Sequence, residues 1–423
     1  MRRPSLRGLR NRFRRAPDAV PDAAPDAVPY LSHVDSPRWQ DPPTHSVLVS
    51  GWVAVPRASV WEGPFVDVGE LRPLELVQRG DVEAGFGDDW HVTGYQTIVP
   101  ITPETAKSRW SLVLRVDGQE HREVLDVDPS AAALDEFRDI KRKKLERIER
   151  ILRCPRPING RIGGDDCRGE LRRADATTLE CTRCGARYSH GEENYDFLPA
   201  DLAASSGIVH TDNISSWGHD PIATKVIRNY SDGLVLDAGS GFKSTVYDHV
   251  VNLEVVGYPS TDVLGVGEHL PFADGSFDAA LSMNVLEHVR DPFRCASELA
   301  RVVRPGGKLY AGVPFLQPYH GYPHHYYNMT ASGLENLFAG AFTVDQLDVP
   351  ASAVPIWALS WFLNSYVAGL PADVADRFRK LSVEELMAPA EDSLKRDFVM
   401  ELRESTNIEL ACGCILVGTR RPT

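Results

Sequence analysis

Apolar and polar positions fall into three regimes along the chain. Ser46 to Val55, His91 to Ile101, Trp110 to Val116 and His121 to Val127 read as strands, with Asp117-Gly118 as a hairpin turn between the last two. No helical period interrupts them, so residues 46–128 are expected to form a β-sandwich-like module. Asp128-Pro129-Ser130 then starts a helix. Leu134, Phe137, Ile140, Leu145, Ile148 and Ile151 give it one apolar stripe, so residues 129–153 read as a connector or packing helix. Further on, short apolar runs at Leu234 to Leu236, Val250 to Val256, Ala279 to Met283 and Lys308 to Val313 alternate with turns and a helical pattern. That alternation predicts an α/β domain around a buried parallel sheet. Phe342 to Val349 and Ala411 to Thr419 are expected as its sixth and last strands. Between them, residues 351–407 form an insertion whose Val354 to Leu370 stretch is strongly apolar.

The α/β region turns on Leu234 to Gly241, Leu-Val-Leu-Asp-Ala-Gly-Ser-Gly. Asp237 stands where a strand ends. Gly239 and Gly241 allow a tight turn and a close backbone approach to a ligand. Amides at the start of the next segment would face that ligand. A dinucleotide fingerprint needs a third small residue where this chain has Ser244, so the fit to a nicotinamide site is imperfect. Glu254 follows Asp237 by 17 residues at the end of the next apolar run, where a carboxylate can accept ribose hydroxyls.

Further blocks come in order: Leu270-Pro271-Phe272, Phe277-Asp278, Leu286-Glu287-His288, and Arg304-Pro305-Gly306-Gly307. Asp291 and Pro292 between the last two read as the N-cap and first turn of a helix. The ordered set, dense from Leu234 to Pro314, resembles the class I S-adenosylmethionine (SAM)-dependent methyltransferases. The resemblance implies a Rossmann-like fold over about 203–423. It also implies a cofactor site of Asp237, Gly239, Gly241 and Glu254, with Leu270 near adenine and Asn284 near the reacting face; for want of the family's acidic residue there, backbone groups near Gly267 are expected to hold adenine. This chain departs from the family twice. Val266 stands where an acidic residue is usual, and Tyr258 to Asp262 leaves almost no helix between the second and third strands. The acceptor is expected, by analogy with similar multidomain chains, to be a hydroxyl of a glycan, lipid-linked glycan or secondary metabolite. The competing reading is a non-catalytic SAM-binding scaffold or partner-binding protein.

A hydroxyl acceptor needs a base, and histidine titrates near neutrality. His320 is the first choice because Gly321 beside it permits a tight approach; His324 and His288 come next. His269 is expected to face the cofactor, and His325 adjoins His324. Tyr319, Tyr322, Tyr326 and Tyr327 share the loop, which reads equally as a packed aromatic lid.

Cys181-Thr182-Arg183-Cys184-Gly185 is a metal knuckle, and Cys154 and Cys167 can complete four thiolates. Residues 154–202, with their closing Tyr195-Asp196-Phe197-Leu198-Pro199, resemble the zinc ribbon that precedes some methyltransferase domains. Pro157 stands where that ribbon has its second cysteine, so Cys167 substitutes only if 156–166 loop out. Four thiolates imply structural zinc; a metal-free ribbon of reduced thiols is the alternative. Cys412 and Cys414 are expected in the core of the last strand.

Composition adds the compartment and the partners. Seven cysteines is an odd count, and the basic start has no apolar stretch after it, so a reducing cytoplasm is expected. Residues 1–15 hold seven arginines and no acid, while the rest carries 39 basic and 59 acidic residues. So acidic a body argues against a nucleic-acid partner. The arm reads as a solvated tail or as a contact to an anionic membrane surface, and its linker to residue 45 is Pro/Ala/Asp-rich. Residues 354–370 are short for a spanning helix. They are expected to form a lid or a homodimer face, or to dip into a membrane.

Overall fold

The computed structural model describes residues 30–36, 45–77, 79, 82, 86, 89–127, 131–158, 165–209, 214–321 and 324–414. The basic arm, the linker apart from residues 30–36 and 45, the Asp128-Pro129-Ser130 helix start, Tyr322 and residues 415–419 lie outside the described residues; within the expected linker, residues 31–36 instead form a strand that pairs with the Ser46–Pro56 strand.

Eight strands make two four-stranded antiparallel sheets. They are β1 (Leu31–Ser36), β2 (Ser46–Pro56), β3 (Trp61–Asp67), β4 (Leu71–Pro73), β5 (Glu75–Val77), β6 (Trp90–Pro100), β7 (Ser111–Val116) and β8 (Gln119–Val124). The sheets run β1-β2-β6-β5 and β4-β3-β7-β8. Val49, Val53 and Val55 of one sheet share a core with Val66, Leu112 and Leu114 of the other. The hairpin turns at Asp117-Gly118, both at positive φ.

Helix α1 (Ala131–Glu149) joins this module to the cysteine segment. Its Leu134 and Phe137 enter the two-sheet core, and its Leu145 and Ile148 enter the core of the α/β region. Each such burial contributes about 1.5–3 kcal/mol. Its polar side is partly buried as well. Lys144 Nζ lies 2.7 Å from Asp262 Oδ2, and Lys141 Nζ donates to Thr261 O at 2.7 Å. The helix is therefore bonded to the sheet, since unpaired buried ammonium groups would be costly.

The third sheet has nine strands. Antiparallel strands β9 (Leu171–Arg173), β10 (Thr178–Cys181), β11 (Arg187–His190) and β12 (Tyr195–Asp196) come from the cysteine segment. After helices α2 (Ala200–Ser206) and α3 (Pro221–Asn229) come the parallel strands β13 (Val235–Ala238), β14 (Val250–Glu254), β15 (Val263–Leu264) and β16 (Phe277–Met283). Helix α4 (Pro292–Val302) then leads into β17 (Val303–Gly312). Asp291 caps α4 by accepting from Arg294 N at 2.9 Å, with Pro292 in its first turn. The strand order is β17-β16-β13-β14-β15-β12-β11-β10-β9, and β12 pairs in parallel with β15, so the cysteine segment and the α/β region share one sheet. The chain winds outward from β13 through β15 and returns to β16 on the other side of β13. The crevice at this reversal, at the carboxyl ends of the strands, is where such sheets bind ligands.

Among the described residues, two expected strands are absent. Residues 342–349 form no strand, and 343–349 are exposed. Lys308 of β17 reaches Asp345 through its side chain, with no backbone ladder between them. Without a ladder, the alternation of apolar and polar residues there has no sheet to join. Residues 411–414 are also not a strand, and Cys412 and Cys414 are exposed, not core. Among the described residues β17 is thus a free sheet edge. Helices α5 (Ala331–Phe338), α6 (Pro355–Ala368), α7 (Ala372–Phe378), α8 (Val383–Leu386), α9 (Asp397–Met400) and α10 (Glu404–Glu409) complete the chain. Leu370, Val374, Phe378 and Phe398 form a small core of their own. Helix α6 has no buried residue and leaves Ile356, Leu359, Trp361 and Phe362 exposed. No described helix is long and apolar enough to cross a membrane.

Candidate functional site

The crevice is built on the turn after β13. Gly239 and Gly241 have φ of +75° and +63°. A Cβ on Gly239 would meet Val285 Cγ2 at 2.5 Å, and one on Gly241 would meet Ser215 O at 2.7 Å. Only glycine satisfies both the left-handed conformation and the close approach. Gly239 N and Ser240 N donate to Leu253 O, which bonds the turn to the end of β14. Glu254 completes that junction: Oε2 accepts from Gly241 N and Oε1 from Val255 N, each at 2.7 Å. Burial pushes its carboxyl up, against the opposing pull of those amides. A carboxylate has about four lone-pair sites, so two backbone amides leave acceptor capacity for ribose hydroxyls.

Asp237 is 1% exposed, and its Oδ2 takes His219 Nε2 at 2.8 Å and Lys243 Nζ at 3.7 Å. Burial raises its carboxyl, but Lys243 and His219 outweigh burial and hold it below the usual range. Asp237 therefore braces the turn from below. His219 and Lys243 escaped the sequence reading because each lies outside the blocks that carry the resemblance.

Gly267 and Leu270 come after β15. A Cβ on Gly267 would sit 3.0 Å from Cys295 Sγ, and Leu270 is buried with its N–H on Glu298 Oε2 at 3.0 Å. His269 is 1% exposed; its Nδ1 lies 2.7 Å from Asp166 Oδ1, a contact between the cysteine segment and the α/β region, and its Nε2 has no partner among the described residues. Asp166 is a buried carboxylate shared with Arg294, at 3.0 Å. Asn284 has φ +55° just past β16, and its N–H donates to Gly312 O at 2.9 Å.

Two of the three chosen histidines come together with a residue that had no assigned role. Ligand atoms of Glu287, His288 and His320 all lie within 4.8 Å of one another. The Glu287 side chain is fully buried, and neither carboxylate oxygen has a hydrogen-bond partner among the described residues. Burial pushes this carboxyl up to about 8. Burial lowers His288 and lowers His320 to about 4, so both are neutral imidazoles at pH 7. His324 supplies its backbone: its carbonyl accepts from His288 Nδ1 at 2.7 Å. Tyr326 N donates to Glu287 O at 2.7 Å, which holds the loop on the cluster. The His325 and Trp361 rings lie 4.2 Å and 5.3 Å from that of His320. Glu287 was visible only as the middle of Leu286-Glu287-His288; its burial without a partner is a property of the fold.

The four cysteines converge. Cys154, Cys167, Cys181 and Cys184 have all their sulfurs within 4.8 Å of one another. Cys154 and Cys184 are 3.6 Å apart, Cys167 and Cys181 3.7 Å. A disulfide would need about 2.05 Å. Cys167 arrives as the loop-out requires: Pro157 pairs with Asp166, and Cys167 N donates to Arg156 O at 2.8 Å.

Residues 233–311 match the family described as a methyltransferase domain. An uncharacterized methyltransferase of Mycobacterium sp. (strain KMS) is 42% identical over 81 residues, 19% of this chain and 29% of the relative. One from Mycobacterium tuberculosis is 37% identical over 122 residues, 27% of this chain and 47% of the relative. The chain thus spans less than half the length of these curated relatives. A Thermotoga maritima SAM-dependent methyltransferase, possibly a histamine N-methyltransferase, aligns at 25% identity and TM-score 0.23, over 26% of this chain and 63% of that one. The Haemonchus contortus phosphoethanolamine N-methyltransferase 2 aligns at 15% identity and TM-score 0.26, over 44% and 48%. The glycine-rich turn and the parallel strands around it thus fall within the segment that matches a methyltransferase domain.

Proposed function

We propose that the chain is a SAM-dependent methyltransferase. One observation carries the reading: inside the matched segment, the Glu254 carboxylate at the end of β14 bonds the amide of Gly241 in the glycine turn. The turn's conformation and Glu254's spare acceptor capacity suit an amino-acid nucleoside. Gly239, Gly241, Glu254, Gly267, Leu270 and Asn284 would hold it, with Asp237 bracing the turn. When bound, SAM supplies an electrophilic methyl group. The chain's own part is to orient the acceptor, exclude water and accept a proton where the acceptor is a hydroxyl. The cluster of His288, His320 and His324 with the 316–330 loop is the acceptor side in this reading. A glycan, lipid-linked glycan or secondary-metabolite hydroxyl fits its aromatic lining. Exposed Trp361 and Phe362 on α6 support a lid or a second copy over that side.

The cysteine cluster reads as a structural zinc site. Zinc–sulfur bonds of about 2.3 Å make a tetrahedron with sulfur–sulfur edges of about 3.8 Å, and the two short pairs here are 3.6 and 3.7 Å. Four thiolates leave no open position, so this metal would hold the fold and not the reaction. Calorimetry of the full chain with SAM and S-adenosylhomocysteine tests the cofactor reading. Saturable one-to-one binding is expected, and no heat at millimolar ligand overturns it.

A further inference from the structure

Outside the cysteine cluster, one group of side chains is built as a ligand set with its own supports. His320 Nδ1 lies 2.9 Å from Pro318 O, and His288 Nδ1 lies 2.7 Å from His324 O. A carbonyl oxygen only accepts, so each Nδ1 carries the ring hydrogen. Each Nε2 is then left as a lone pair. This is the arrangement that fixes tautomer and ring orientation in metal-binding histidines. His288 Nε2 stands 3.9 Å from Glu287 Oε1. Glu287, with a fully buried side chain and two oxygens lacking partners among the described residues, supplies the third donor. Two ring-nitrogen lone pairs and a carboxyl group thus converge on one point, and a metal ion that binds there displaces any proton the carboxyl carries.

We propose that Glu287, His288 and His320 bind a divalent first-row transition-metal ion. Two imidazoles and one carboxylate suit Fe²⁺, Co²⁺ or Zn²⁺, and are too nitrogen-rich for Ca²⁺ or Mg²⁺. Bonds of about 2.0–2.2 Å require donors roughly 3–3.5 Å apart, against a present spread within 4.8 Å. The set therefore tightens on loading, both between Glu287 and His288, now 3.9 Å apart, and across to His320 on the 316–330 loop. Three protein ligands leave open positions, as sites that take a substrate oxygen do. The turn starts three residues past Asn284, at the carboxyl end of β16, where the acceptor would enter. The site is independent of the thiolate cluster in ligands and in chemical softness. It does not rest on the cofactor reading.

The test is anaerobic Co²⁺ titration of the full chain with its ribbon metal loaded, without SAM. The expected result is one further equivalent, with weak visible bands and none of the intense near-ultraviolet charge transfer that thiolates produce. Glu287→Gln and His320→Ala should each weaken that equivalent at least about tenfold while keeping the ribbon metal, which reports that the fold survives. Cys181→Ser should leave it in place. A wild-type chain that takes no such equivalent, or one that persists unchanged in both Glu287→Gln and His320→Ala, overturns the proposal.

Discussion

Glu254 carries two tasks on one carboxylate. It ties the Gly241 amide to the end of β14, and in our reading it accepts ribose hydroxyls. A hydrogen bond to a charged group is typically worth about 1.5–3 kcal/mol. Glu254→Ala is therefore expected to weaken SAM binding roughly tenfold or more, since 1.4 kcal/mol is a factor of ten. Unchanged affinity by calorimetry in the folded variant would remove Glu254 from the site. His45 shows a different kind of residue-level dependence. Its Nε2 bonds Lys243 O at 2.9 Å, and its ring lies on Phe137 at 4.2 Å, so it seals the two-sheet module against the exit of the glycine turn. Burial lowers its pKa to about 4; Lys141 and Lys144 add to this, and the Lys243 carbonyl opposes it. The unfolded chain then binds more protons than the native one between about pH 6.5 and 4, so this contribution is lost as pH falls through that window. It amounts to about 3 kcal/mol. Melting midpoints measured from pH 7 to 4 should fall less steeply in His45→Gln than in the wild type. Parallel curves would show that His45 does not titrate the interface.

At the level of elements, the sequence was legible where a pattern and a partner coincide. β2, β6, β7 and β8 have both, and so do β13, β14, β16 and β17, each buried beside a parallel neighbour, whereas β1, β3, β4 and β5 carry no pattern that the sequence reading caught. Capping chemistry at Asp291-Pro292 needs no tertiary context, and it located α4 directly. Phe342 to Val349 had only the pattern. The alternation of side chains is the same for a strand and for an exposed extended loop, and only the missing ladder on β17 separates them. His269 shows a related limit of local pattern. Its position beside Leu270-Pro271-Phe272 suggested the crevice, and nothing local foretells that Asp166, 103 residues away in sequence, bonds its Nδ1. The Glu287 cluster was half legible: the histidines carry recognisable chemistry, whereas an unpartnered buried carboxylate is visible only once the turn at 284–288 meets the 316–330 loop.

At the scale of the whole molecule, the three regions are one mechanical body through α1 and the nine-stranded sheet. α1 places apolar residues in two cores, and the sheet runs from the parallel strands β13 to β17 into the cysteine hairpins without a break. The joint is small. β12 contributes Tyr195 and Asp196 against Val263 and Leu264 of β15, with Phe197 N donating to Leu264 O at 2.9 Å. Two residues further on are Val266 and Gly267, where adenine is proposed to lie. The backbone of β15 is thus a wire between a thiolate cluster and a nucleoside pocket, and its solvent exchange is a gauge at the midpoint. Chelating the ribbon metal should accelerate amide deuteration in the peptide spanning residues 193–198 and in the peptide covering Val263 to Gly267, while β16 stays protected. Deuteration confined to the cysteine hairpins would mean that the wire is cut at Tyr195, and that the pocket does not register what happens at the sulfurs.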